Sequence, residues 1–214
     1  MVRLRKWFLP LLLLIWILPI STTPTHGDRD ALKAYQDSFE LMVAGGYHIW
    51  SQSGHTFSSS DKGDKEFNGW AYQAEGTYWK NYFGWYGYAG KDLPVKEEMY
   101  TDKYYKADVT YFGTGLKIRK EFADWFTAYI GGGINYTTLV NRYKRSNGSS
   151  WAKGETLEGF GPDALIGFQF KHSSGFYACP NLRYSWNREN SKTFNKTTFD
   201  AGGLRTWLGI GYVF

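Results

Sequence analysis

The chain ends in Gly203-Leu204-Arg205-Thr206-Trp207-Leu208-Gly209-Ile210-Gly211-Tyr212-Val213-Phe214. Leu204, Thr206, Leu208, Ile210, Tyr212 and Phe214 share one parity; Gly203, Arg205, Trp207, Gly209, Gly211 and Val213 share the other. Successive side chains of a strand point to opposite sides of its sheet, so a period of two marks a strand with two different faces. One face here is almost wholly apolar. The other mixes glycine, an arginine and an indole.

The pattern recurs upstream. Phe126, Ala128, Ile130, Gly132, Ile134 and Tyr136 oppose Thr127, Tyr129, Gly131, Gly133, Asn135 and Thr137. Ala164, Ile166, Phe168 and Phe170 oppose Asp163, Leu165, Gly167 and Gln169, and Phe176, Ala178, Pro180, Leu182, Tyr184 and Trp186 oppose Tyr177, Cys179, Asn181, Arg183 and Ser185. Eight segments alternate in this way, at 38–51, 67–80, 82–90, 104–119, 125–140, 157–171, 175–187 and 201–214. The connections alternate too. Those at Lys80-Asn81, Lys120 to Asp124 and His172 to Ser174 are short; Gln52 to Glu66, Lys91 to Lys103, Asn141 to Thr156 and Arg188 to Asp200 are long and polar.

These observations predict an all-β fold: an eight-stranded antiparallel up-and-down transmembrane β-barrel spanning 38–214. In a bilayer every backbone polar group needs a partner, so strands must close on themselves. A spanning strand needs about 9–11 residues, which each segment supplies. A small soluble barrel also alternates, but its turns do not sort by length. The short turns near Asn81, Ala123 and Ser173 and both chain ends belong at the periplasmic rim. The loops near Ser59, Lys96, Asn147 and Asn195 belong at the other.

Composition agrees. Of 214 residues, 20% are aromatic, with 10 Trp, 17 Tyr and 15 Phe, and 25 are Gly. Aromatics gather at segment ends, as in Trp125-Phe126 and Tyr104-Tyr105, where they can form interfacial girdles. One cysteine, Cys179, excludes a disulfide framework and a multi-cysteine zinc site. It reads as a buried small residue. No metal or cofactor is expected. The formal charge of +5 is misleading, because Arg3, Arg5 and Lys6 supply three of those charges within the first 27 residues, which hold no acid. The remainder carries only +2, so nucleic acid is not an expected partner.

Residues 1–27 read as a signal peptide. A basic start precedes a short apolar run, Trp7 to Ile20, and a small polar stretch with Pro24. Cleavage is expected after Gly27, with Thr25 and Gly27 at −3 and −1. Residues 28–37 then form a short periplasmic N-terminal segment.

Two stretches carry a family resemblance. Tyr111-Phe112-Gly113-Thr114-Gly115-Leu116-Lys117 and Ala128-Tyr129-Ile130-Gly131-Gly132-Gly133 flank a short Asp-containing turn. This resembles the central hairpin of the eight-stranded outer-membrane β-barrel superfamily, the OmpA transmembrane-domain, OmpX and OmpW-like group. Gly209, Tyr212 and the terminal Phe214 resemble the assembly signal of such barrels. The resemblance implies an outer-membrane address, contact with outer-membrane lipids and lipopolysaccharide, recognition by the barrel assembly machinery, and a monomer. It identifies a fold family and no reaction.

Eight strands enclose an interior just wide enough for side chains. Parity sends Glu40, Glu75, Asp163, Gln169, Arg183 and Arg205 inward, where charges must pair. Glu75 and Arg205, with Glu40 and Arg183, are expected in one polar network that plugs the barrel. Lys106 and Asp108 belong either to this plug or above the membrane. Arg142, Tyr143, Lys144, Arg145, Trp151 and Lys153 form a basic and aromatic cluster in the third long loop, suited to phosphates and sugars. The expected role is structural or surface-interacting: adhesion, or contact with lipopolysaccharide.

Two alternatives stand beside it. A lipid A-modifying enzyme, a deacylase or acyltransferase, needs a nucleophile beside a base. His172-Ser173-Ser174 resembles the His-x-Ser of lipid A deacylases, but Gly175 follows where that family has Asn, and the pair falls in a short turn. The third reading is a gated conduit for small solutes.

Overall fold

The structure, a computed structural model, describes residues 37–50, 69–93, 98–100, 103–145, 150–191, 198–200 and 202–214. The predicted signal peptide and all but Asp37 of the following segment lie outside the described residues. Among the described residues eleven strands occur: β1 (Ser38–Trp50), β2 (Gly69–Lys80), β3 (Phe83–Asp92), β4 (Glu98–Tyr100), β5 (Lys103–Ala123), β6 (Phe126–Arg145), β7 (Ala152–Lys171), β8 (Phe176–Ser185), β9 (Arg188–Ser191), β10 (Thr198–Asp200) and β11 (Gly203–Val213). Among the described residues there is no helix.

Eight of these strands make the barrel. β1, β2, β3, β5, β6, β7, β8 and β11 pair antiparallel in that order, and β11 returns to β1, with Glu40 opposite Val213 and Trp50 opposite Gly203. Closure leaves no sheet edge facing lipid, as spanning strands require. The register also fixes a stagger. From Asp163 the cross-strand partners run through Gly133, Gly115, Tyr86, Thr77 and Glu40 to Val213. Val213 N–H bonds Gly175 O at 3.0 Å, and continuing the β7–β8 register returns to β7 at position 173, ten residues past the start. Strands staggered in this way must tilt by about 40°.

The short turns share one rim with the barrel's ends. Arg119 N–H donates to Tyr82 O, Lys171 N–H to Trp125 O, and Phe214 N–H to Phe39 O, at 2.9, 2.8 and 2.8 Å. Asn81 opens its turn with φ 57°, a left-handed conformation that Asn tolerates. Gly175 takes φ 91° in the last turn.

Burial follows parity around the wall. Outward side chains are apolar and exposed, including Val43, Trp70, Trp85, Leu116, Phe160 and Ile210. Inward ones are buried and mostly polar or aromatic. Each large inward ring lies against a glycine of the next strand. Trp79 covers Gly84, where a Cβ would stand 2.6 Å from the indole. Glycine is thus what lets rings lie flat in so narrow a bore.

Several boundaries correct the sequence reading. β5, β6 and β7 were expected to end at 119, to end at 140 and to begin at 157; pairing continues to Ala123, to Arg145 and from Ala152. The stretch from Lys120 to Asp124 is largely strand, and only Asp124 and Trp125 turn. The predicted fourth loop holds a hairpin, β9 with β10, that pairs on β7, and the second holds β4, paired on β5. The cause is physical. Apolar alternation marks a strand only where one of its faces meets an apolar medium, whereas backbone pairing needs only a partner strand.

Candidate functional site

The lumen is a stack of three polar tiers. Its buried charges are Lys117, Arg119, Arg183 and Arg205 against Glu40, Glu75, Asp92 and Asp163. Among the described residues four buried cations meet four buried anions, so these charges balance, as burial demands.

The middle tier centres on Glu75. Arg183 Nη2 donates to Glu75 Oε2 at 2.7 Å, and Lys117 Nζ donates to Glu75 Oε1 and to Thr77 Oγ1. The Arg183 guanidinium lies 3.5 Å from the centre of the Tyr88 ring. Tyr86 and Tyr88 both donate to Asp163, at 3.0 and 2.5 Å. The two phenols, stacked 6.0 Å apart, thus stand between Asp163 and Arg183.

The tier nearer the long loops is built on Asp92. Its Oδ2 is 2.6 Å from His48 Nδ1 and 3.5 Å from Arg205 Nη2. Arg205 also donates to Ser185 Oγ at 2.9 Å and stacks 4.2 Å from the Tyr111 ring centre. Beside it Asn187 donates to Thr137 at 2.5 Å. The tier nearer the short turns joins Gln169 to Glu40 at 2.7 Å, with Arg119 4.0 Å from Glu40 and stacked on Trp79.

The six inward residues named from sequence are therefore all buried. Arg183 meets Glu75, whereas Arg205 is engaged by Asp92; the two arginines are cross-strand partners, and the Tyr88 and Tyr111 rings they stack on lie 6.2 Å apart. Lys117, Arg119, Asp92 and His48 were missed. Lys117 and Arg119 sit in a strand whose facing the alternation left open, Asp92 lies in a stretch assigned to the second long loop, and His48 lies near the end of the first segment, on the parity of Glu40. Cys179 is buried, with Tyr129 Oη 3.0 Å from its sulfur.

The basic cluster is on a hairpin stem instead of a loop. Arg142, Tyr143, Lys144 and Arg145 are in β6, and Lys153 is in β7 opposite Arg142. Trp151 directly precedes β7, and Lys144 Nζ lies 5.0 Å from its ring centre. Arg142 Nε is 2.5 Å from Asp108 Oδ2, which places Asp108 on the outer surface of this stem. The side chains of Lys106, Tyr143 and Arg145 lie outside the described residues.

At the short-turn rim His172 Nδ1 is 2.8 Å from Ser174 Oγ. Ser174 N–H also points at the same nitrogen, 3.3 Å away. The pair is exposed and closes a tight turn, and among the described residues no carboxylate is bonded to the ring. At the closing seam Phe214 and Ile210 face outward, while Gly209 faces Met42 inside. The Tyr212 ring packs 4.9 Å from Phe214 and 5.0 Å from Phe176.

No family model and no curated protein matches the chain. Solved structures do. Neisserial surface protein A is similar over 82% of this chain and 96% of that one, with a TM-score of 0.52 and 14% identity. The outer-membrane protein OprG from Pseudomonas aeruginosa is similar over 85% and 98%, with a TM-score of 0.51 and 14% identity. The attachment invasion locus protein Ail of Yersinia pestis, solved with the heparin analogue sucrose octasulfate, is similar over 84% and 100%, at 0.50 and 14%. The chain has the closed eight-stranded fold of these outer-membrane barrels.

Proposed function

We propose that this chain is a monomeric outer-membrane barrel that contacts lipopolysaccharide through its projecting hairpins, the lumen serving as a structural plug. One observation carries the reading: β5, β6 and β7 are 21, 20 and 20 residues long. At about 3.3 Å per residue and a tilt of about 40°, such a strand climbs roughly 50 Å, against about 30 Å of hydrocarbon. Roughly 20 Å of paired strand then stands clear of the bilayer. Its stem carries Arg142, Lys144, Trp151 and Lys153 at headgroup height, where lipopolysaccharide presents phosphates and sugars. That Ail was solved with a sulfated sugar accords with polyanion binding by a barrel of this shape.

In this reading residues 1–27 direct export, 28–37 stay in the periplasm, and Gly209, Tyr212 and Phe214 address the chain to the barrel assembly machinery. The role is non-enzymatic. The test is titration of the refolded barrel with purified lipopolysaccharide. Lys144→Gln and Lys153→Gln should each weaken binding about fivefold, at about 1 kcal/mol per basic residue at an anionic surface. The salt dependence should become shallower. Unchanged affinity in the double variant sinks the proposal.

A further inference from the structure

The lipid-facing wall is not uniformly covered. On the outer face of β2, read from the short-turn rim, come Lys80, Tyr78, Gly76, Ala74 and Tyr72. On β3 their partners are Phe83, Trp85, Gly87, Ala89 and Lys91. Gly76 and Gly87 therefore lie side by side, with Ala74 and Ala89 beside each other in the next row. These four small residues floor an open groove of about 610 Å³ whose far wall is Val43, Ile210 and Phe176.

The groove has a path to the rim. Tyr78 and Trp85 are cross-strand neighbours directly below the floor, and their side chains are drawn apart. Tyr78 Oη donates to Asp37 on the β1 side at 3.2 Å, and Trp85 Nε1 donates to Thr114 on β5 at 3.0 Å. Below them the rim carries two exposed lysines together with Asp37. Lys80 is exposed on one side of the Asn81–Tyr82 turn. Lys120, on β5, is exposed on the other, one residue from Arg119, whose N–H bonds Tyr82 O.

We propose that this groove holds an acyl chain of an anionic phospholipid of the periplasmic leaflet, its headgroup phosphate seated between Lys80 and Lys120. The inference rests on the membrane-spanning reading above. The dimensions match. Gly76 is four residues from Lys80, about 13 Å along the strand at 3.3 Å per residue, within the depth of one leaflet. The floor offers an acyl chain close backbone approach of the kind small residues give in membrane interfaces. The lysines supply the complementary charge for a phosphate.

The floor can be filled without disturbing the barrel. A Cβ on Gly87 would meet nothing nearer than Gly113 O at 3.9 Å, and one on Gly76 would meet Leu41 at 3.5 Å. The experiment is native mass spectrometry of the full barrel released from vesicles of phosphatidylcholine with phosphatidylglycerol, after far-UV circular dichroism has shown that it folded. The wild-type chain should retain phosphatidylglycerol in preference to phosphatidylcholine. Gly87→Leu should reduce retention of both to the level of bulk lipid, and Ala89→Leu should do the same by filling the neighbouring row. Lys80→Gln with Lys120→Gln should leave retention but lower the preference roughly fivefold per lysine. Undiminished retention in both leucine variants overturns the proposal. So does a dimer that Gly87→Leu dissociates while lipid retention persists, since the groove would then belong to a second copy. Failure of the wild-type chain to fold into vesicles at all would instead overturn the membrane-spanning reading.

Discussion

Arg183→Met is the most searching perturbation of the lumen. Arg183 is 1% exposed, holds Glu75 at 2.7 Å and stacks 3.5 Å from the Tyr88 ring centre. Removing it leaves three buried cations against four anions. Glu75 keeps Lys117, so it is not fully stranded. Breaking a buried pair by deleting one partner costs about 3–5 kcal/mol when the remaining charge is isolated. With Lys117 still in place the cost should fall near the lower end, about 3 kcal/mol. Glu75→Gln removes the other half and leaves Lys117 and Arg183 facing an amide, with a cost of similar size. The two together restore the charge balance. Their combined cost should therefore fall short of the sum by about 1–3 kcal/mol, the range for contacting residues. Urea unfolding of the refolded barrel in detergent measures all three, with the slope of the transition checked for constancy. Additivity within about 0.5 kcal/mol would show that Glu75 and Arg183 do not act on each other. A change below about 1 kcal/mol for Arg183→Met alone would remove the case for a charge-balanced plug.

Two further outcomes follow from the wall and the seam. Gly84→Ala places a methyl 2.6 Å from the Trp79 indole and should cost about 1–3 kcal/mol, while Gly87→Ala, whose methyl would meet nothing nearer than Gly113 O at 3.9 Å, should leave the urea midpoint in place. Equal effects at the two positions would contradict the assignment of facing. Deleting Phe214 should lower the yield of assembled barrel in cells far more than it shifts the unfolding midpoint after refolding in detergent. The ring is an exposed girdle aromatic, and the backbone bonds it makes to Phe39 are only two. Normal cellular yield would remove its role as an address.

The outer hairpins show where local reading fails. Pairing runs from Asp108 opposite Val140 up to Lys103 opposite Arg145, through residues with no alternation of hydrophobicity. Outside a bilayer neither face needs to be apolar, so the pattern that marks a strand disappears while the strand continues. The same limit hid Asp92. It closes β3 in a polar stretch, and only its neighbours across the bore show that it faces inward.

What the sequence determined by itself is the facing of six of the eight spanning strands, the third and fourth excepted. The pleat is local, with a period of two, so Leu208 and Ile210 point to lipid and Arg205 and Trp207 point inward whatever the rest of the chain does. The number of spanning strands, the sorting of short and long connections, and the burial of Glu40, Glu75, Asp163, Gln169, Arg183 and Arg205 all follow from that periodicity. Which of those groups meet is a different matter. Glu75 reaches Arg183 across 108 residues of chain, and Arg205 reaches Asp92 across 113. Those pairings depend on the ten-residue stagger of the closed barrel, which sets the height of every inward side chain relative to every other. Register is a property of pairs of strands, and closure a property of all eight together. Only the tertiary structure could therefore divide the inward charges into three tiers, bring His48 to Asp92, and lay Gly76 beside Gly87 in an open groove.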